Sequence, residues 1–188
     1  MNKYKIEISQ LTNPEKIKGD LSEALEGADV FIGVSVKNIL TKDMIKKMNN
    51  KPIIFAMANP DPEILPNEAY DAGAFIVATG RSDFSNQINN ALGFPGIFRG
   101  LLDVRAKYIT NNMKVSASFA IANFIDENKI DKKLIIPSIY DFEVFAYIAE
   151  NVAQTAINDG VARIFPKKNE IFEKTIKIKK DNQKRFFK

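Results

Sequence analysis

The sequence contains no histidine and no cysteine. The first absence excludes a Ser-His-Asp triad, an imidazole base and every metal site that needs a histidine ligand. The second excludes disulfides and thiol catalysis, and it fits a reducing, cytoplasmic setting. Proton chemistry must therefore come from Lys, Tyr, Asp or Glu, or from residues of another chain. No apolar run approaches the roughly 20 residues that a membrane-spanning helix needs. The opening residues, Met1 to Ile8, show neither an apolar h-region nor a small-residue cleavage site, so secretion is not expected. Also missing is the Gly-x-Gly-x-x-Gly turn that opens a complete dinucleotide-binding domain; Gly93, Gly96 and Gly100 have the wrong spacing.

What is present suits one globular domain. The chain has 188 residues, 45% of them hydrophobic, with 14 Phe to fill a core. Its net charge of +4 is unevenly distributed: residues 167–188 hold nine basic and three acidic groups, against 18 basic and 20 acidic in the other 166. The basicity belongs to a C-terminal tail, and the organisation expected is a domain over 1–166 followed by that tail, 167–188. Lysines beside Phe186 and Phe187 could contact phosphate and stack on bases, with salt-dependent DNA binding that is lost on removing 167–188. A solvated helix or a subunit contact is the commoner use of such a segment, and a nucleic-acid partner is not expected.

Helical and extended patterns alternate over the first half. Asn13, Pro14 and Glu15 read as a helix start, with Leu21 and Leu25 on its inner face and Gly27 to Asp29 at its end. Val30–Val34 reads as a buried strand. Thr41 caps a helix presenting Met44, Ile45 and Met48. Strand Ile53–Met57, a short helix from Pro66 to about Ala72 stopped by Gly73, and strand Ala74–Ala78 follow. Beyond Pro95, taken as a helix opener, the pattern turns helical. One face holds Ile97, Phe98, Leu101, Leu102 and Val104, and a second helix holds Val115, Phe119, Ile121, Phe124 and Ile125. Leu134–Ile136 is extended, and Asp141 can cap a last long helix with Val144, Phe145, Ile148 and Val152, ended by Gly160. The tail from Lys168 has no firm period. The fold class expected is α/β, a Rossmann-like three-layer parallel sheet covered on both faces, incomplete because the Gly-rich first half is absent, with C-terminal helices.

Two strand ends carry the candidate chemistry. One runs into Asn59-Pro60-Asp61-Pro62-Glu63, the other into a loop with Asn86, Gln87, Asn89 and Asn90. Neutral amides hold a small polar ligand through donors and acceptors that need no counter-charge on desolvation. Such loops at the carboxyl edge of an α/β sheet point to a ligand crevice. Each also has a plainer reading: Asn59 as an Asn-Pro turn, Asn89 and Asn90 as amides satisfying their own backbone, and Gly33, before Val34 and Ser35, as a strand-end glycine. Arg81 and Asp83 suit a local ion pair, Asp141 an N-cap rather than an acid catalyst, and Tyr70, Tyr108, Tyr140 and Tyr147 packing.

The segments Gly27–Ser35, Ala58–Glu63, Ala78–Asp83, Asn89–Asn90, Phe94–Gly100, Ile135–Asp141 and Gly160–Arg163, in that order, resemble the malic enzymes, above all the shorter bacterial type. The resemblance implies the C-terminal portion of an NAD(P)-binding domain from an enzyme that converts L-malate to pyruvate and CO2 with NAD(P)+. It places Asn59 between the nicotinamide ribose and malate, and Asn89 and Asn90 at malate and the nicotinamide end, Asn89 in direct contact and Asn90 orienting it. Gly33, Val34 and Ser35 would pack against cofactor. The family's catalytic Lys and Tyr, its Arg carboxylate clamp, its Gly-rich turn and the three carboxylates that hold Mg or Mn all correspond to sequence upstream of Met1. The resemblance thus implies no catalytic residue and no metal ligand here, inactivity of the chain alone, and a homo-oligomer or a complementary upstream segment as partner. The alternative is a non-catalytic or degenerate fragment that binds a nucleotide or dicarboxylate. The choice between NAD and NADP stays open, and an incomplete sheet would expose an apolar edge.

Overall fold

The computed structural model describes residues 2–186, the last five by their backbone alone. The chain divides into two compact units, 1–77 and 78–188.

The first unit opens with α1 (Lys3–Leu11), capped by the Asn2 side chain, which accepts from the Lys5 N–H at 3.0 Å. Asn13-Pro14-Glu15 does not start a helix. Asn13 and Lys16 both sit at φ 54°, and the Asn13 amide bonds both backbone groups of Ile17, at 2.8 and 2.9 Å. This local side-chain bonding competes with a helical turn and wins. The helix starts later, as α2 (Leu21–Ala24), behind a capping box of Asp20 and Glu23. Leu25 is buried as expected.

Strands β1 (Val30–Gly33), β2 (Ile53–Ala56) and β3 (Ile76–Thr79) form one sheet in that order, with β1 parallel to β2 and Gly33 opposite Ala56. Between them lie α3 (Lys42–Lys47) and α4 (Pro66–Asp71). The Thr41 hydroxyl caps α3 by accepting from the Met44 N–H, and Ile45 and Met48 are buried. The core of this unit gathers Leu25, Phe31, Leu40, Ile45, Ile54 and Val77. Cover on both faces is not found at β1. Its inward residues Phe31 and Gly33 are buried, whereas Ile32 is 63% exposed and Val34 76%. A run of β-branched residues states that a strand exists, not that both of its faces are covered.

The second unit is helical: α5 (Asn90–Asp103), α6 (Asn111–Ala122), a 3-10 turn at Glu127–Lys129, α7 (Glu143–Asn158) and α8 (Glu170–Phe186). Pro95 does not open α5. The helix begins five residues earlier behind Asn89, and Pro95 lies inside it. The face of α5 against α7 is built from glycine. A Cβ on Gly96 would stand 2.6 Å from Ile148 Cβ, and one on Gly100 2.6 Å from the Ala149 carbonyl oxygen. The larger residues turn outward: Phe98 and Leu102 are exposed on α5, as are Val115 and Phe119 on α6, where Met113, Ala117 and Ala120 are buried instead. Helix–helix distance decides which stripe faces in, and small residues permit the closer approach.

Asp141 does not cap α7; its carboxylate accepts from the Ser138 N–H at 3.2 Å and closes the preceding turn. The segment expected to lack a period folds as α8, with Ile171 and Thr175 buried. Buried Glu150 on α7 accepts from the Asn169 and Phe172 N–H groups at 2.8 and 3.2 Å, so a carboxylate from a neighbouring helix occupies the N-terminus of α8. Asp103 on α5 holds both Arg99 and Lys174. The Phe186 side chain and Phe187, on which the stacking idea rested, lie outside the described residues. None of the helices described is long and apolar enough to cross a membrane.

Candidate functional site

In the first unit, the sequence-chosen residues stand where β1 and β2 end. Gly33 closes the ladder, and the Met57 N–H reaches its carbonyl at 3.0 Å. Val34, Ser35 and Asn59 are exposed, and the Asn59–Pro60 bond is cis. No described residue hydrogen-bonds the Asn59 side-chain amide. Glu63, which sequence reasoning passed over, is wholly buried and joins the two loops: Oε1 accepts from the Ser35 N–H at 2.9 Å and Oε2 from the Ala58 N–H at 3.0 Å. Gly33 is small because of it. A Cβ there would meet the Glu63 Cδ and Oε1 at 2.5 Å, so the close approach at Gly33 is filled by a carboxylate of the same chain. An acid set between Pro62 and the apolar pair Ile64-Leu65 was the available signal, since a charge so placed must find donors if it is buried.

In the second unit, β3 ends at buried Thr79, whose carbonyl accepts from the Ile88 N–H at 2.8 Å. Asn89 is the N-cap of α5: Oδ1 accepts from the Ala91 N–H at 2.9 Å, and Nδ2 donates to the Gly80 carbonyl at 3.1 Å. The plainer reading of this amide is thus part of the truth, yet one N–H and one lone pair of Asn89 remain. Asn90 stands exposed in the first turn of α5. Its side chain makes no hydrogen bond to any described residue, Asn89 included; the Gly80 carbonyl is what orients Asn89. Asn86 is buried, at φ 57°, with Nδ2 on the Lys132 carbonyl and Oδ1 on the Ile135 N–H, so it anchors the loop internally. Arg81 and Asp83 form the expected pair through two bonds of 2.9 and 2.7 Å, and the guanidinium stands over the Phe84 ring. That guanidinium bond holds the Asp83 carboxyl below its ordinary range.

The family profile described as the malic enzyme NAD binding domain matches residues 3–157. The chain belongs to the malic enzyme family. It is 50% identical over 178 residues to a bifunctional malic/malolactic enzyme of Bacillus subtilis, covering 95% of this chain and 43% of that protein. It is likewise 50% identical over 162 residues to an NAD-dependent malic enzyme of Geobacillus stearothermophilus, covering 86% of this chain and 34% of the relative. The crystal structure of malic enzyme from Pyrococcus horikoshii superposes with a TM-score of 0.88 at 47% identity, over 93% of this chain and 40% of that one. The α/β, Rossmann-like fold with an incomplete sheet agrees with these matches. The chain spans less than half the length of the relatives it matches.

The groups that the family resemblance implies fit this chain unequally. Exposed amides at strand ends suit the polar, neutral carboxamide of nicotinamide and the hydroxyl of a hydroxy acid. No glycine-rich turn is present to cradle a pyrophosphate. Among the described residues no group of three acidic side chains is placed to hold a metal ion.

Proposed function

We propose that this chain supplies the amide-bearing side of a malic-enzyme site, in which L-malate is oxidatively decarboxylated to pyruvate and CO2. NAD or NADP supplies the hydride acceptor; relatives named for each cofactor match the chain. Asn59 and Asn89 contact malate and the nicotinamide end, Asn90 contacts malate, and the backbone of Gly33, Val34 and Ser35 lies against the cofactor. Hydride transfer needs the two reacting carbons close and aligned, and amides can fix that geometry without charge. No catalytic residue or metal ligand is assigned to the chain. The metal carboxylates and proton-transfer groups come from a segment outside these 188 residues, and the assembly works in the cytoplasm as an oligomer or together with that complementary segment.

One observation carries this reading. Asn89 is oriented by Gly80 and the start of α5 while keeping an unused donor and acceptor, and beside it stands Asn90 with its amide unengaged by described residues. Both amides are exposed, so their spare donors and acceptors meet water in the free chain and can be transferred to a polar ligand.

The test is malate-dependent NAD(P)H formation with Mn2+. The chain alone gives no turnover. Addition of a malic-enzyme segment bearing the Gly-rich turn, the Lys and Tyr and the metal carboxylates restores it, and Asn89→Ala in the added mixture lowers turnover by at least about 100-fold, as expected when a positioning contact to the reacting groups is lost. Turnover by the chain alone overturns the division of labour, and full activity with Asn89→Ala sinks the amide assignment. The rival reading is a non-catalytic or degenerate fragment that binds a nucleotide or dicarboxylate. That rival predicts binding with no restored turnover.

A further inference from the structure

We propose that Glu63 is a positioning residue of this site: its buried carboxylate fixes the loops after β1 and β2, and through them Ser35 and Asn59. The inference rests on the function proposed above, which gives those two residues their roles and gives none to Glu63.

The β1–β2 ladder ends at Gly33 and Ala56, followed by one bond from Met57 to Gly33. Immediately beyond, where the strands would diverge, one carboxylate takes over as the link, one oxygen on the Ser35 N–H and the other on the Ala58 N–H. The same segment holds the rest of the first loop, since the Asn38 N–H donates to the Pro62 carbonyl and the Leu40 N–H to the Glu63 carbonyl. Asn59 directly follows Ala58, and no described residue bonds its side chain, so its place is set by the backbone that Glu63 holds.

Two N–H donors converging on one side chain require two acceptors. A carboxylate offers them; a glutamine offers one oxygen and turns its NH2 against the second donor. Aspartate is one methylene too short to span both loops. Glycine at position 33 completes the arrangement, because any Cβ would displace the carboxylate. Gly33 and Glu63 thus act as one device: the missing side chain makes room for the acid that binds the neighbouring loop.

The full chain, labelled with 15N and combined with the complementary malic-enzyme segment used above, allows amide exchange and dinucleotide binding to be read together. Glu63→Gln should speed exchange at Ser35 or Ala58 by about tenfold or more, leave Phe55 in β2 unchanged, and weaken NAD+ or NADP+ binding by about tenfold. Gly33→Ala, which moves the carboxylate without altering charge, should do the same and serves if Glu63→Gln fails to fold. In the wild-type chain, saturating dinucleotide should slow exchange at both amides. Unchanged exchange at both amides in the two variants overturns the link itself. Faster exchange with undiminished affinity makes Glu63 structural only and overturns the positioning role. A wild-type chain that binds neither NAD+ nor NADP+ with the complementary segment present overturns the functional reading and the positioning role with it, while the exchange data still decide whether the carboxylate holds the loops.

Discussion

Replacing Gly100 with alanine sets two effects against each other. Alanine is the better helix former by about 1 kcal/mol in a helix interior, so local propensity favours the substitution. Tertiary packing opposes it: the new methyl would lie 2.6 Å from the Ala149 carbonyl oxygen and 3.0 Å from Val152 Cβ. The first neighbour is backbone and cannot rotate aside, so α5 and α7 must separate. Overpacking a tight core costs roughly 1–3 kcal/mol, and here the upper part applies because a helix backbone has to move. The net expectation for Gly100→Ala is a loss of about 1–2 kcal/mol, or roughly 2–8 °C in Tm for a chain of this size. Gly93 in the same helix is the control. Its Cβ would meet only Ile97 Cδ1, at an ordinary 3.7 Å, so Gly93→Ala should raise stability by up to about 1 kcal/mol. Thermal and urea unfolding of both variants reads opposite signs. A Gly100→Ala protein that melts at or above the wild type would refute the claim that glycine sets the α5–α7 distance.

The Tyr70 hydroxyl is buried with no hydrogen-bond partner among the described residues, so Tyr70→Phe should be neutral or stabilising by up to about 1 kcal/mol in urea unfolding; a clear loss would reveal a partner. Glu150→Ala should cost about 2 kcal/mol by leaving the Asn169 and Phe172 N–H groups unmet, and exchange at those two amides should accelerate before that in α7 does. Hydrogen bonds from Thr110 and then Asn112 hold the Asp159 carboxyl below its ordinary range. A depressed folded value means stability present above the unfolded pKa, near 4, and lost as pH falls through the folded one. The stability gap between wild type and Asp159→Asn should therefore be widest near neutral pH and narrow steadily below about pH 4. An unchanged gap across that range would remove Asp159 from the acid limb.

Features governed by a few adjacent residues were legible in the sequence. Thr41 ahead of an apolar helical face gave both the cap and the burial of Ile45, and Arg81 two residues from Asp83 paired as their spacing implied. The strand-end position of Asn59 was legible for the same reason, whereas Asn89 and Asn90, read into the loop after β3, lie at the cap and first turn of α5. Asn13 shows where such reasoning stops, since its side chain found a closer backbone partner than the helix it seemed to start. The start of α5 moved from Pro95 to Asn90 because an asparagine cap outweighs one proline inside a helix held against α7. Period alone chose Phe98, Leu102, Val115 and Phe119 as inward residues; the partner helix selected glycine and alanine in their place.

By itself, the sequence determined the family, the three strands in their order and the helices between them, because those depend on local pattern and ordered motif; α1 and α8 were not legible in it. Only the tertiary structure decided the roles of Glu63 and Glu150. A carboxylate in a sequence reads as a solvated charge until distant backbone donors are brought around it. Glu63 meets Ser35 across 28 residues and Glu150 meets Phe172 across 22, separations that no local period encodes.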